Sequence, residues 1–420
     1  MLKLRDKSTL SESRRQVFDE TTLKTTREIL ADITINGDAA IRGYATKFGE
    51  LSNEEHFVVD KKVLKNAYDK LNVLDQKVLK RTADRISTFA KAQHACLKPL
   101  KMEIDGGYAG HDFLPIDVAG CYAPGGRFPL PSSVLMTAIP AKISGVKTVI
   151  VSSPNPTLHT LAAAYVASVD IFLKLGGVQA IAAMAYGTGQ TPAAHVVVGP
   201  GNRWVTAAKQ IVSSTVGIDM LAGPSELVVL ADKKAEARII AADLLAQAEH
   251  DEDALPVLVT TSSTLIDAVN AELTLQLETL PTRGTAEASL SNGYAVLADG
   301  MDDAIAICNA LAPEHLQILT EDAGTHAKKL HHCGGLFIGT ASAEVIGDYG
   351  AGPNHTLPTG GTAKYKAGLS VLNFLRARTW IEIVDTTAAQ SLYADAAVLA
   401  RMEGLEAHAR AANIRKEDRT

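Results

Sequence analysis

At 420 residues, with 46% hydrophobic and 21% charged side chains, the chain has the balance of a globular protein of two to three domains. That excludes a wholly disordered chain, a collagen-like fibre and a small scaffold that needs covalent staples. Lysine and arginine number 41 against 47 acidic residues, a formal net charge of −6, which offers no general attraction for nucleic acid or an anionic membrane.

The N-terminal run MLKLRDKSTLSESRR lacks the apolar core of a secretory signal, and no stretch of about 18 uncharged apolar residues follows it anywhere. Residues 21–48 and 61–98 carry amphipathic helical patterns with little strand signal. The one basic-leaning run, 61–80, is interleaved with Asp and apolar residues and reads as a solvated helix face. Beyond residue 146 two textures alternate. Short β-branched runs occur at 147–153 (KTVIVSS), 195–198 (HVVV), 226–231 (ELVVLA), 256–261 (PVLVTT), 294–298 (YAVLA), 316–319 (LQIL) and 335–338 (GLFI). Most are continuously apolar, as strands covered on both faces of a parallel sheet must be. Ala-rich helical patterns cover 135–144, 161–175, 205–212, 235–249, 264–280, 301–311 and 323–332. The alternation predicts an α/β architecture with right-handed crossovers. Residues 386–412 form one long helical pattern without a core of its own, which invites dimerisation. Domain joints fall at Pro- and Gly-rich turns near 118–126, 222–224 and 358–361. The four cysteines, Cys96, Cys121, Cys308 and Cys333, form no C-x-x-C and fit a reduced compartment. Cys121, the one candidate thiolate by position, has nothing nearby to lower its pKa and reads as packing.

Several polar clusters sit in otherwise apolar surroundings. In Gln247-Ala-Glu-His250 the outer residues are three apart and share a helix face, with Asp243 one turn earlier. An imidazole and an oxygen donor so placed can hold a zinc-like ion. Spacing alone favours a polar helix end, with His250 at the carbonyl terminus. Glu314-His315, directly before the run LQIL, pairs a carboxylate with an imidazole at the mouth of a buried strand. Adjacent side chains diverge, so the two would serve different protons; the alternative is a polar turn. The Gly-rich loop GDYGAGPNH at 347–355 presents Asp348 and His355, and by itself is an ordinary loop. Glu403 and His408, about 140° apart on an ideal helix, share no face unless the helix frays near Gly404. Two Gly-rich turns, YAPGG at 122–126 and GPGN at 199–202, each follow an apolar run and precede a helix, so their N–H groups could meet a phosphate. Neither is G-x-G-x-x-G. Ser225 in GPSE lacks the strand–turn–helix setting of a hydrolase nucleophile.

In order and spacing, the stretches CYAPGGRFPLPSSVLM, GGVQAIAAMAYGT, VGPGNRWVTAAK, GIDMLAGPSELVVLAD, DLLAQAEHD, APEHLQI and GDYGAGPNHTLPT resemble the histidinol dehydrogenase family from about Gly37 to His408. The resemblance implies two Rossmann-like parallel-sheet domains and an intertwined homodimer. It implies a division into residues 1–20 as an arm, 21–120 with 227–365 as the domain carrying zinc and acid/base residues, 121–226 as the NAD domain, and 366–420 as a helical dimerisation tail. One zinc per subunit would be held by Gln247, His250, Asp348 and His408. Glu314 and His315 would be the catalytic acid/base pair. Tyr122, Gln179 and Asn202 would contact NAD. Ser225, Gln247, His250, His315, Asp348, Glu403 and His408, together with His355, would contact L-histidinol. The implied reaction is oxidation of L-histidinol to L-histidine through L-histidinal with two NAD, the last two steps of histidine biosynthesis. A related dehydrogenase of another small alcohol and a metal-dependent hydrolase using Glu314 as base are the rival readings. The expected protein is a cytoplasmic enzyme with a small-molecule substrate and neither a nucleic-acid nor a membrane partner.

Overall fold

The structure is a computed structural model that describes residues 1–10, 18–52, 55–126 and 128–416. Residues 11–17 of the expected N-terminal arm therefore lie outside the described residues. The chain divides into two compact units, residues 1–92 with 116–374, and residues 93–115 with 375–420.

The larger unit holds two six-stranded sheets. One is built on Val118–Tyr122, flanked by Thr148–Ser152 and Val196–Val198, with Ile171–Leu173 and Gly217–Ile218 beyond; these five run parallel. Val58–Val59 closes one edge antiparallel to Ile171–Leu173. The chain winds outward from Val118–Tyr122 in one direction, then returns to its other side, which puts a topological switch point beside Tyr122. Helices cover both faces, and this explains why VVV at 196–198 is wholly apolar. Ile150, Leu173 and Val197 face helices Glu20–Lys47, Gly177–Tyr186 and Arg203–Val212. Val149, Val151, Val196 and Val198 point the other way, toward Pro131–Ile143 and Leu158–Val166. Each such side chain contributes about 1.5–3 kcal/mol through burial.

The second sheet is parallel throughout, in the order Lys3–Leu4, Tyr294–Leu297, Leu255–Thr260, Glu226–Ala231, His315–Leu319, Gly335–Ile338. Helices Ala237–Ala248 and Ser263–Leu277 pack on one face and Met301–Leu311 on the other. The opening residues, expected as an arm, supply an edge strand. Leu2 is buried, its N–H donates to Asn270 Oδ1 at 2.9 Å, and Arg5 stacks on Tyr294 at 4.6 Å.

The pattern at 161–175, expected as one helix, is a helix and a strand. Helix Leu158–Val166 ends before Ser168, which has φ 55°, and Ile171–Leu173 then joins the sheet. Asp170 fixes the junction, accepting from Val149 N at 2.8 Å and pairing with Lys142.

The smaller unit contains an antiparallel sheet with Gly107–Pro115 between Leu100–Ile104 and Leu375–Ile383. The expected long helix at 386–412 is two helices, Gln390–Met402 and Glu406–Asn413, packed on each other. Gly404, at φ 77°, makes the break, a conformation that favours glycine. Among the described residues no helix is long and apolar enough to cross a membrane.

Candidate active site

A cavity in the larger unit is lined by the carboxyl ends of the first sheet (Tyr122, Pro154, Pro200) and the amino ends of the second (Ser225, Glu314, His315). The register that pairs Leu227 with His315 places Glu226 beside Glu314 and His315. One residue's backbone then holds both side chains. Glu226 N donates to Glu314 Oε2 at 2.9 Å, and Glu226 O lies 3.1 Å from His315 Nδ1. A carbonyl only accepts, so Nδ1 carries the hydrogen and Nε2 presents its lone pair. That Nε2 has no hydrogen-bond partner. It lies 3.6 Å from Glu344 Oε1 and 3.8 Å from Asp348 Oδ1. Burial lowers the His315 pKa and so keeps the imidazole neutral. Ser225 Oγ donates to Glu314 Oε2 at 2.6 Å. Burial nevertheless pushes the Glu314 carboxyl up to about 8. The two adjacent side chains thus present a neutral imidazole base and a carboxyl poised near neutral pH.

His250, at the end of helix Ala237–Ala248, and Asp348, at the end of helix Glu344–Asp348, are joined by Nε2 and Oδ2 at 3.4 Å. This pairing raises the His250 pKa. Burial acts to raise that of Asp348, but the hydrogen bond from His250 and the nearby histidines hold it below the usual value. His250, Glu344 and Asp348 each offer a ligand atom, all within 4.8 Å of one another. Gln247 and Glu344 are fully buried, and none of their four side-chain oxygen and nitrogen atoms has a hydrogen-bond partner. Each orphaned buried group costs about 1–3 kcal/mol. A cation taken up by Gln247 Oε1, the Glu344 and Asp348 carboxylates and His250 would satisfy the orphaned oxygens, so the donor set fits a metal of zinc's type. Burial first, then the charges of Asp348 and Glu314, push the Glu344 carboxyl up to about 9. His355 Nδ1 meets Asp348 O at 3.0 Å, and its Nε2 meets Ser133 Oγ at 3.3 Å.

At the first sheet, Gly177 N donates to Tyr122 Oη at 3.4 Å. Gln179 is buried and its Nε2 donates to Glu50 Oε2 at 2.9 Å. Asn202 caps helix Arg203–Val212, its Oδ1 accepting from Trp204 N at 3.1 Å and Val205 N at 3.2 Å. The turn before it is braced from below by the buried pair Lys209 and Asp219. Lys209 Nζ donates to Gly199 O at 3.0 Å, and Asp219 Oδ2 accepts from Gly199 N at 2.8 Å. Tyr122, Gln179 and Asn202 all line the cavity, as do Ser225, His250, Glu314, His315, Asp348 and His355. Glu403 and His408 are exposed residues of the smaller unit. Cys121 is fully buried and its thiol is pushed up to about 12 by burial, so it is inert.

Sequence reasoning missed Glu344, Glu50 and the Lys209–Asp219 brace. Glu344 had a signal, since it lies four residues before Asp348 and shares a helix face with it. Glu50 had none: no spacing pattern ties a residue past the end of helix Glu20–Lys47 to Gln179.

Comparison with known proteins adds an independent line. A family model described as histidinol dehydrogenase matches residues 12–416. The histidinol dehydrogenase of Thermus thermophilus is 42% identical over 401 residues, covering 95% of this chain and 96% of that protein. That of Aromatoleum aromaticum is 43% identical over 399 residues, covering 93% and 91%. The crystal structure of histidinol dehydrogenase from Elizabethkingia anophelis is similar with a TM-score of 0.92 at 32% identity, covering 99% of this chain and 98% of that one.

Proposed function

From the premise that the chain belongs to the histidinol dehydrogenase family, we propose that it oxidises L-histidinol to L-histidine through L-histidinal. When bound, NAD would accept a hydride in each of the two oxidations, and zinc would anchor the substrate's imidazole and amine as an orienting template. Gln247, His250 and Asp348 would hold the metal, together with His408. The orphaned amide of Gln247 and the His250–Asp348 pair support that assignment.

The observation that carries the chemistry is the Glu226 backbone clasp. It turns the free Nε2 of His315 toward the carboxylate cluster, where that nitrogen takes the proton of the alcohol oxygen as the C–H bond breaks. Glu314 then removes a proton from the water that adds to the aldehyde carbon. His315, having released its first proton, takes the hydroxyl proton of the resulting gem-diol in the second oxidation. Ser225 holds the Glu314 carboxyl in place. His355 and Ser225 would line the substrate's berth, and Glu403 would face its cationic end. Tyr122, Gln179 and Asn202 would hold the dinucleotide.

We propose that residues 121–226 carry most of the dinucleotide contacts and 227–365 the metal and acid/base groups. Residues 21–120, expected with the latter, pack helix Glu20–Lys47 and strand Val58–Val59 onto the first sheet. Residues 366–420 would form the dimerisation tail. The tail helices expose Val398, Leu399 and Met402, with Met402 77% exposed, and bury only Ala397 and Ala409. Such a surface supports a homodimer in which Glu403 and His408 are supplied by the partner subunit. The deciding experiment mixes the protein with L-histidinol and NAD and follows NADH. Two NADH per histidinol with histidine as product are expected; no NADH, or a different stoichiometry, overturns the reading.

A further inference from the structure

Helix Gly177–Tyr186 starts just past the carboxyl end of strand Ile171–Leu173, where a parallel sheet presents N–H groups to a ligand. There the protein has placed a carboxylate of its own. Glu50 Oε2 accepts from Gly176 N at 3.0 Å and from Gln179 Nε2 at 2.9 Å. Glu50 is 8% exposed and lines the cavity beside Tyr122, Gly177 and Gln179. A carboxylate only accepts, so the Gln179 amide can turn one way: its NH2 toward Glu50, its Oε1 left as an acceptor. That Oε1 is buried without a partner. Tyr122 Oη already accepts from Gly177 N, so its hydroxyl hydrogen is available to donate. The corner therefore offers two acceptors, one donor and a negative charge. A vicinal diol matches that set, whereas a phosphate meets like charge in a desolvated place.

The location says which diol. The acid/base cluster is tied through His355 and Ser133 to helix Pro131–Ile143, on one face of the first sheet. Helix Gly177–Tyr186 packs on the opposite face. A dinucleotide with its nicotinamide at His315 reaches Glu50 only by crossing the carboxyl edge of the sheet at the switch point, which brings its adenosine half there.

We propose that Glu50 reads the adenosine ribose, accepting its 2′- and 3′-hydroxyls while fixing Gln179, and by its charge rejects a 2′-phosphate, selecting NAD over NADP. This rests on the reading of the cavity as a dinucleotide site. The test is equilibrium binding by calorimetry, without substrate, to the wild-type chain and to Glu50→Gln. Wild type should bind ADP-ribose at least about tenfold more tightly than 2′-phospho-ADP-ribose. Glu50→Gln should lose about tenfold in ADP-ribose affinity, as for loss of a charge-assisted hydrogen bond, and narrow that ratio by a similar factor. Affinity for nicotinamide mononucleotide should not change. Equal wild-type affinity for the two ADP-riboses overturns the proposal, and this measurement stands even if the variant does not fold. A proportional loss for both ligands in Glu50→Gln overturns it too, since that is what a purely structural Glu50 would give. So does a loss confined to nicotinamide mononucleotide. Failure of the functional reading is separate: it shows as absent NADH formation from L-histidinol while ADP-ribose discrimination persists.

Discussion

Glu226 holds two side chains with the two ends of its own peptide units, so Glu314 and His315 share one mechanical support and still face different tasks. The division of labour predicts different consequences for their removal. Glu314→Gln should impair oxidation of the aldehyde more than that of the alcohol, because only the former needs water activated. His315→Asn should slow both, by about 10²–10⁴-fold. Feeding L-histidinal and L-histidinol separately measures this, and equal losses for Glu314→Gln on the two substrates would contradict it. The same carboxyl sets a pH dependence. Burial holds Glu314 at about 8, and a base works deprotonated, so the aldehyde step should accelerate as pH rises through about 8 and level off above. That limb should vanish in Glu314→Gln. At this scale the sequence offered candidates where residues lie close together, as with Gln247 and His250 or Glu314 and His315. Spacing alone, however, favoured a polar helix end for the first pair and allowed a polar turn for the second. The sequence was silent on Glu50, whose partners come from a helix more than a hundred positions away and are set by tertiary packing.

Among the elements, the turn from Gly199 to Asn202 illustrates how a short loop is kept rigid. Gly199 has φ 114°, and a Cβ there would collide with the carbonyl of Tyr122. Beneath it Lys209 and Asp219, 2% and 4% exposed, grip the N–H and C=O of the same glycine. Breaking a buried pair leaves a charge without compensation, so Lys209→Met should cost about 3–5 kcal/mol in urea unfolding. Adding Asp219→Asn, which keeps an oxygen to accept from Gly199, should recover more than half of that loss. No recovery would mean that Lys209 acts through packing alone. The strands at 147–153 and 195–198 were legible because a strand buried on both faces must be apolar throughout, whereas the central strand Val118–Tyr122, with its Ala, Gly and Cys, read only as a domain joint. Leu375–Ile383 was not legible either, since it is largely exposed and its partner, Gly107–Pro115, is remote in sequence. The split of the tail into two helices turned on the single backbone angle of Gly404, which an otherwise continuous helical pattern concealed.

For the whole molecule, the proposed exchange of tails makes a quantitative prediction. His250→Ala and His408→Ala should each be inactive, and allowing their subunits to exchange should restore activity. In a mixed dimer one site receives both lesions and the other neither. Random pairing makes about half the dimers mixed, so roughly a quarter of wild-type turnover should return. Verified exchange with no recovery would show that each site is built within one chain. A different consequence follows from the edge strand Lys3–Leu4, which lies parallel to Tyr294–Leu297. At translation speeds of about 5–20 residues per second, on the order of 15–60 s separate the synthesis of that strand from the synthesis of its partner. Every strand of the sheet around Val118–Tyr122 is made within that interval, whereas Leu2 waits without its pocket. These early-made residues are thus among the last to find their place, and ribosome-bound chains halted before Tyr294 should leave them open to proteolysis.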